Sequence, residues 1–203
     1  MRARQAAMRL VEAALERRSG FDEAVADRAF QALDPRDRGF ARALALATLR
    51  RLGAIDAMLA ARLQKPPPAA VTQLLRIGLA QMLAMDTPDF AAVSSTVMLA
   101  EREQATRPYK GLINAVLRGL AREPVPLDPA TYAPPWLLAR WRAAYGDATA
   151  LAIAAAIPHE PPTDLSLRAE ADAEALADEL EAERLPGGSL RTARRGDVAE
   201  WPR

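Results

Sequence analysis

The strongest constraint on this chain is a repetition: over its first 123 residues, apolar side chains recur at three- and four-residue intervals in short stretches that Pro or Gly cuts off. Ala3, Ala6, Ala7, Leu10, Ala14 and Leu15 make one such stripe, which predicts a helix ending near Gly20. Phe21 to Ala32 predicts a second, short helix. Asp34-Pro35-Arg36-Asp37 then offers an N-cap, a proline at the first helical position and an acid at the third, so a third helix follows with Phe40, Ala43, Leu44, Ala47 and Thr48 on its buried face. Gly53 is read as its break, with Ala54 to Gln64 as a fourth helix. Lys65-Pro66-Pro67-Pro68 is a stiff connection. Leu74, Leu75, Gly78, Leu79, Met82 and Leu83 mark a fifth helix, Asp89 to Glu103 a sixth behind Thr87-Pro88, and Tyr109 to Arg122 a seventh. Seven successive amphipathic helices predict an all-helical bundle.

Pro124-Val125-Pro126 and Asp128-Pro129 interrupt that pattern, and the sign of the charge changes at the same place. Residues 1–125 carry 19 Lys or Arg against 13 Asp or Glu, whereas residues 126–203 carry 8 against 13, within a formal net charge of +1. The expected organisation is therefore a helical domain over 1–123, a Pro-rich linker over 124–133 and a small α/β domain over 134–203. In the last, Trp136, Leu137, Leu138, Trp141 and Tyr145 precede a Gly146 cap, and Ala148 to Ile157 adds a helix. The two tryptophans and Tyr145 are expected in its core. Thr163 to Arg168 alternates as a half-buried strand does, Ala171 to Leu185 returns to helical period, and Ser189 to Ala193 is a second candidate strand. No closing element follows Trp201-Pro202-Arg203, so this small domain reads as truncated.

Composition removes most familiar chemistries. There is no Cys and one His, His159, which excludes disulfides, thiolate metal sites and a cysteine nucleophile and leaves no kit for a histidine zinc site or a Ser-His-Asp triad. The reading gives no catalytic and no metal-binding residue. Ala148 to His159 is the longest run without a charge, too short for the roughly 20 apolar residues of a membrane span. No membrane contact is expected, and the charged start lacks the apolar core of a secretion signal, which predicts a cytoplasmic location. The acidic run Glu170, Asp172, Glu174, Asp178, Glu179, Glu181 and Glu183 reads as a solvated helix face, Gly187-Gly188 lacks the pattern of a nucleotide cradle, and Met82, Met85 and Met98 read as core filler.

The seventh helix is the most informative segment. Lys110, Asn114, Arg118 and Arg122 lie four apart and share one face, Leu112, Ile113, Val116, Leu117 and Leu120 occupy the other, and the small residues Gly111, Ala115 and Gly119 run between them. Two arrangements fit: a solvated face beside a tightly packed helix pair, or a basic groove for a nucleic-acid backbone. Arg2, Arg4 and Arg9 of the first helix and Arg36, Arg38 and Arg42 of the third, with Arg50 and Arg51, are the other basic concentrations. Guanidiniums of this kind neutralise phosphates and give affinity without reading sequence. Tyr109 is the one aromatic residue near the stripe.

Four segments together resemble a known family: Arg76-Ile77-Gly78-Leu79-Ala80-Gln81-Met82-Leu83, Asp86-Thr87-Pro88, Ala92-Val93-Ser94-Ser95-Thr96-Val97, and above all Lys110-Gly111-Leu112-Ile113-Asn114-Ala115-Val116-Leu117-Arg118. They resemble the NusB-type helical RNA-binding domain, in the version fused to the ribosomal RNA small-subunit methyltransferase B (Sun) group of RNA cytosine-C5 methyltransferases. Pro135-Trp136-Leu137-Leu138, Arg140-Trp141, Tyr145-Gly146 and Leu165-Ser166-Leu167-Arg168 are similar to that group's small domain ahead of the catalytic one. The resemblance implies a NusB-like bundle, binding of ribosomal RNA, and a parent enzyme that uses S-adenosylmethionine. It also implies a catalytic cysteine that attacks the cytosine, and this sequence has none. The expected role is then the RNA-recruiting part of such an enzyme, with no cofactor of its own and with docking on the absent catalytic domain; the alternative is a free-standing NusB-type transcription antitermination factor.

Overall fold

The computed structural model describes residues 1–16, 20–168, 172–194 and 201, which divide into two compact units, Met1–Pro158 and His159–Arg203. In the first unit the helices are α1 (Arg2–Glu16), α2 (Gly20–Ala26), α3 (Arg28–Gln31), α4 (Pro35–Arg50), α5 (Leu52–Arg62), α6 (Ala69–Ala84), α7 (Asp89–Arg102), α8 (Lys110–Arg122), α9 (Pro135–Tyr145) and α10 (Asp147–Ala156). Short 3-10 turns, Arg107–Tyr109 and Pro129–Tyr132, precede α8 and α9.

Helix α6 is the axis of the bundle because it is apolar nearly all round, and such a helix is stable only when neighbours cover it. It packs against α1, α4, α5, α7 and α8, burying Val71, Leu74, Leu75, Ile77, Leu79 and Ala80. Gly78 lets α7 and α8 approach together: a Cβ there would lie 2.8 Å from Leu117 Cδ1 and 3.0 Å from Thr96 Oγ1. The four-residue connection at Met85–Pro88, with Asp86 in the left-handed region (φ 47°), turns the chain back from α6 into α7.

Local signals explain several boundaries. Asp34 caps α4 by accepting from the Asp37 amide at 2.8 Å, with Pro35 in the first turn. The expected helix 21–32 is two helices, because Asp27 turns its carboxylate onto the Ala29 amide at 2.7 Å and starts α3 afresh. The break between α4 and α5 falls at Arg51, not Gly53. Gly53 sits inside α5, where a Cβ would be 2.0 Å from the Thr131 carbonyl oxygen; its purpose is to admit the 129–132 turn against the helix. The predicted end of the first helix runs through residues 17–19, which lie outside the described residues.

That turn, α9 and α10 enclose a second small core of Ala133, Leu138, Ala150 and Ala154, flanked by Trp141 and Ile157. Only one of the three aromatic residues expected there takes part. Trp136 and Tyr145 are 67% and 60% exposed: Trp136 falls off the face of α9 that Leu138 and Trp141 set, and Tyr145, on that face, stands in the last turn beyond the small core. Met98, read as filler, is likewise half exposed on the outer face of α7. The proline-rich stretch 124–133 lies within the first compact unit.

Among its described residues, the second unit is a three-stranded antiparallel sheet in the order β1-β3-β2, with β1 Thr163–Ser166, β2 Glu183–Arg184 and β3 Ser189–Thr192, and one helix, α11 (Ala173–Glu179). Leu165 pairs with Leu190, and Asp164 with Arg191, whose guanidinium donates twice to the carboxylate at 2.7 Å. The helical pattern read to Leu185 stops early: Glu181 enters the left-handed region (φ 49°), the Ala182 amide returns to the Ala177 carbonyl, and the chain continues as β2. Glu174, Asp178 and Glu179 are exposed, as a solvated acidic face requires, while Ala171 and Glu170 lie outside the described residues. The architecture is a mainly α-helical bundle followed by a small, open β-sheet region. Among the described residues no helix is long and apolar enough to cross a membrane.

Candidate nucleic-acid interface

Helix α8 separates its two faces cleanly. Ile113, Val116, Leu117 and Leu120 are buried against α6 and α7, while Gly111, Ala115, Arg118 and Arg122 are exposed. Its start is fixed by the chain before it. The Thr106 hydroxyl, 1% exposed, donates to the Ala100 carbonyl at 2.8 Å, and Arg107 Nε donates to the Glu101 carbonyl at 2.9 Å, so the last turn of α7 is capped by the loop that leads into α8. Lys110 Nζ then pairs with Glu101 Oε1 at 3.0 Å. Both partners are half exposed, so this pair contributes little to stability, ~0–1 kcal/mol.

Beyond Lys110 the stripe opens. Asn114 is half-buried, and Arg118 and Arg122 have no ion pair or side-chain hydrogen bond with any described residue. Nothing lies within 4 Å of where a Cβ would stand on Gly111 or Gly119. The small residues therefore pack no neighbouring helix; they leave a smooth, open strip flanked by two free guanidiniums.

The other six predicted positions belong to α1 and α4, which pack on each other and on α6 and form a group apart from α8. Two of them hold the bundle together. Arg4 Nε donates to Gln81 Oε1 while its guanidinium lies 5.0 Å from the Phe40 ring centroid, and burial, opposed by Asp37, lowers its pKa without removing its charge. Arg38 Nη1 donates to the Gln31 and Leu33 carbonyls at 2.8 and 3.0 Å, closing the end of α3. Arg2 and Arg9 are exposed on the rim of an open cleft of about 620 Å³ between α1 and α2–α3, whose floor includes Leu10 and Phe30 and whose rim also carries Glu12 and Glu16. Arg36 and Arg42 stand exposed on α4. Arg51 is half-buried near Tyr132, and burial lowers its pKa.

Sequence reasoning missed the polar ties that position this surface. Gln81, fully buried, accepts from Arg4 and lies 3.5 Å from the Ser95 hydroxyl, joining α1, α6 and α7. Arg76 grips Asp56 through two 2.7 Å bonds, and Arg62 reaches both the carbonyl and carboxylate of Glu123 just past α8. The signal was present in part: Arg76, Gln81 and Ser95 all stand in the segments that carried the family resemblance.

The methyl donor of a doubly wound domain needs a strand, a glycine-rich loop and a helix. Gly187 and Gly188, at φ 96° and 84°, instead lie in the link between β2 and β3 of an antiparallel sheet. The described residues do not fit S-adenosylmethionine, and no step is routed through it.

Comparison with known proteins places these features in one family. The NusB family model matches residues 1–122. The chain is 40% identical over 119 residues to the ribosomal RNA small subunit methyltransferase B of Xanthomonas campestris, covering 56% of this chain and 27% of that protein. It is 40% identical over 117 residues to the Thermus thermophilus protein of the same name, covering 55% and 28%. A probable ribosomal RNA small subunit methyltransferase B of Bacillus subtilis matches at 34% over 188 residues, 83% of this chain and 39% of the relative. The chain thus spans well under half the length of these relatives. With its α6-centred bundle and its α8 motif, the chain belongs to the NusB family and is homologous to ribosomal RNA small subunit methyltransferase B proteins.

Proposed function

We propose that this chain is the RNA-recruiting N-terminal part of an S-adenosylmethionine-dependent 16S ribosomal RNA (cytosine-C5) methyltransferase, acting in the cytoplasm and docking on a catalytic domain outside these 203 residues. The observation that carries it is the outer face of α8, where Arg118 and Arg122 stand free beside an open strip of small residues, in a helix whose wording matches the family. Unpaired guanidiniums on a rigid helix bind phosphates and release counterions. Arg36 and Arg42 on α4, with Arg2 and Arg9 on α1, extend the reach to more distant parts of a folded RNA. Lys110 and Asn114 line the α7 side of the strip. Arg4 and Arg38 support the surface from inside.

This reading is favoured over a free-standing antitermination factor by the extent of the likeness: 188 aligned residues run well past the 122 of the NusB match. With no Cys in these residues, the thiolate of the family's chemistry has to come from elsewhere in the protein. The test is methyl transfer from labelled donor to 16S ribosomal RNA. The full-length protein yields 5-methylcytosine in the digest and residues 1–203 alone yield none; transfer by residues 1–203 alone, or a methyl group on another base, contradicts the proposal.

A further inference from the structure

Phe90 is 77% exposed at the start of α7, outside both apolar cores. A single exposed aromatic residue is ordinary on a protein surface, but the place of this one relative to α8 is not. Helices α7 and α8 run antiparallel, and two contacts fix their register. Glu101 meets Lys110 at one end, and Gly78 touches both Thr96 and Leu117 further along. From Glu101 back to Phe90 is eleven residues, about three helical turns and about 16 Å, so Phe90 lies on the side of α7 that carries Glu101 toward α8. The same eleven residues counted forward from Lys110 reach Ala121. On an antiparallel pair in that register Phe90 is level with Ala121, a small residue, and Arg118 and Arg122 flank that level on the exposed side of α8.

We infer that Phe90 is a stacking platform for one unpaired base of the bound RNA, at the end of a phosphate track laid along Lys110, Arg118 and Arg122; the inference rests on the RNA-binding reading of α8. Charge selects a nucleic acid over an apolar protein segment: Arg118 and Arg122 are exposed and have no ion partner among the described residues, so they can hold the phosphates that flank a base laid on the ring. Every base has a π-face, so such a platform favours unpaired over paired RNA without choosing a sequence. Beside Tyr109, the one aromatic residue near the stripe in the sequence, the neighbouring helix thus supplies a second, 28 residues before Arg118.

The experiment measures binding of the whole chain to a 16S ribosomal RNA stem-loop and to its fully paired counterpart over a range of salt. Phe90→Ala is expected to weaken stem-loop binding about tenfold with an unchanged salt slope, and to leave duplex binding as it was. Phe90→Trp retains the affinity, and Phe90→Leu does not, since stacking and not apolar bulk is the requirement. Undiminished stem-loop binding by Phe90→Ala, an equal loss on the duplex, or full rescue by Phe90→Leu overturns the inference; the first would leave the ring to a protein contact. Arg118→Ala with Arg122→Ala separates the levels: a lowered salt slope beside an inert Phe90→Ala refutes the platform alone, whereas an unaltered slope refutes the RNA reading beneath it.

Discussion

The guanidinium of Arg4 in α1 donates to the amide oxygen of Gln81 in α6, 77 positions along the chain, and rests against Phe40 of α4 as it does so. One side chain thus pins three helices, and a basic residue that counts toward the charge of the first helix is absorbed by the fold. Replacing it by Met leaves the fully buried Gln81 oxygen with only the long 3.5 Å bond from Ser95, which costs about 1–3 kcal/mol. Urea unfolding of Arg4→Met should show that loss, with the salt slope of RNA binding unchanged. Arg4→Lys should not restore it, because an ammonium cannot lie flat on Phe40 and reach Gln81 together.

The glycines give predictions of opposite sign. A methyl group at Gly78 would enter the space of Leu117 and Thr96, and Gly78→Ala should destabilise by about 1–3 kcal/mol. At Gly119 the same change meets nothing and removes backbone freedom from the unfolded chain, so Gly119→Ala should stabilise by roughly 0.5–1 kcal/mol. Thermal unfolding of the two variants decides: shifts of the same sign would show that the α6–α8 approach is looser than described.

In the second unit, the hydrogen bonds from Arg191, helped by its charge, hold the Asp164 carboxyl below its usual pKa against the opposing effect of burial. A depressed folded-state pKa contributes stability that is complete above the ordinary carboxylate value and is lost as the pH falls through the folded value. The pair is half exposed, so the effect is small. An NMR titration should place Asp164 below its midpoint in Arg191→Ala; coincident midpoints would show that the β1–β3 pairing does not hold the pair together.

Much of the bundle was legible because a helix announces itself through spacing and caps: Asp34, Pro35 and the stripes of α1, α6 and α8 stand where the pattern puts them, except that Leu15 and Leu112 are exposed. What spacing could not show was which neighbour each residue meets. Gly53 reads as a breaker until Thr131 is seen beside it, and Trp136 reads as core until Leu138 and Trp141 define the buried face. Strand β2 is two residues long, too short to leave a period. The basic residues were harder still, since charge alone does not distinguish Arg4, half-buried among three helices, from Arg118, open to solvent.

The proposed RNA binding therefore rests on α8, and its salt dependence is the most direct test. The slope of log K against log salt counts the phosphates neutralised, at about 0.7–0.9 per contact. Arg118→Ala and Arg122→Ala should each flatten it by about that amount and together by about twice as much, with unfolding midpoints nearly unchanged because neither side chain has a partner among the described residues. Lys110→Ala should flatten it less, since Lys110 already shares its charge with Glu101. A double variant that binds 16S ribosomal RNA with the wild-type slope would contradict the account, and would make the outer face of α8 a solvated surface and nothing more.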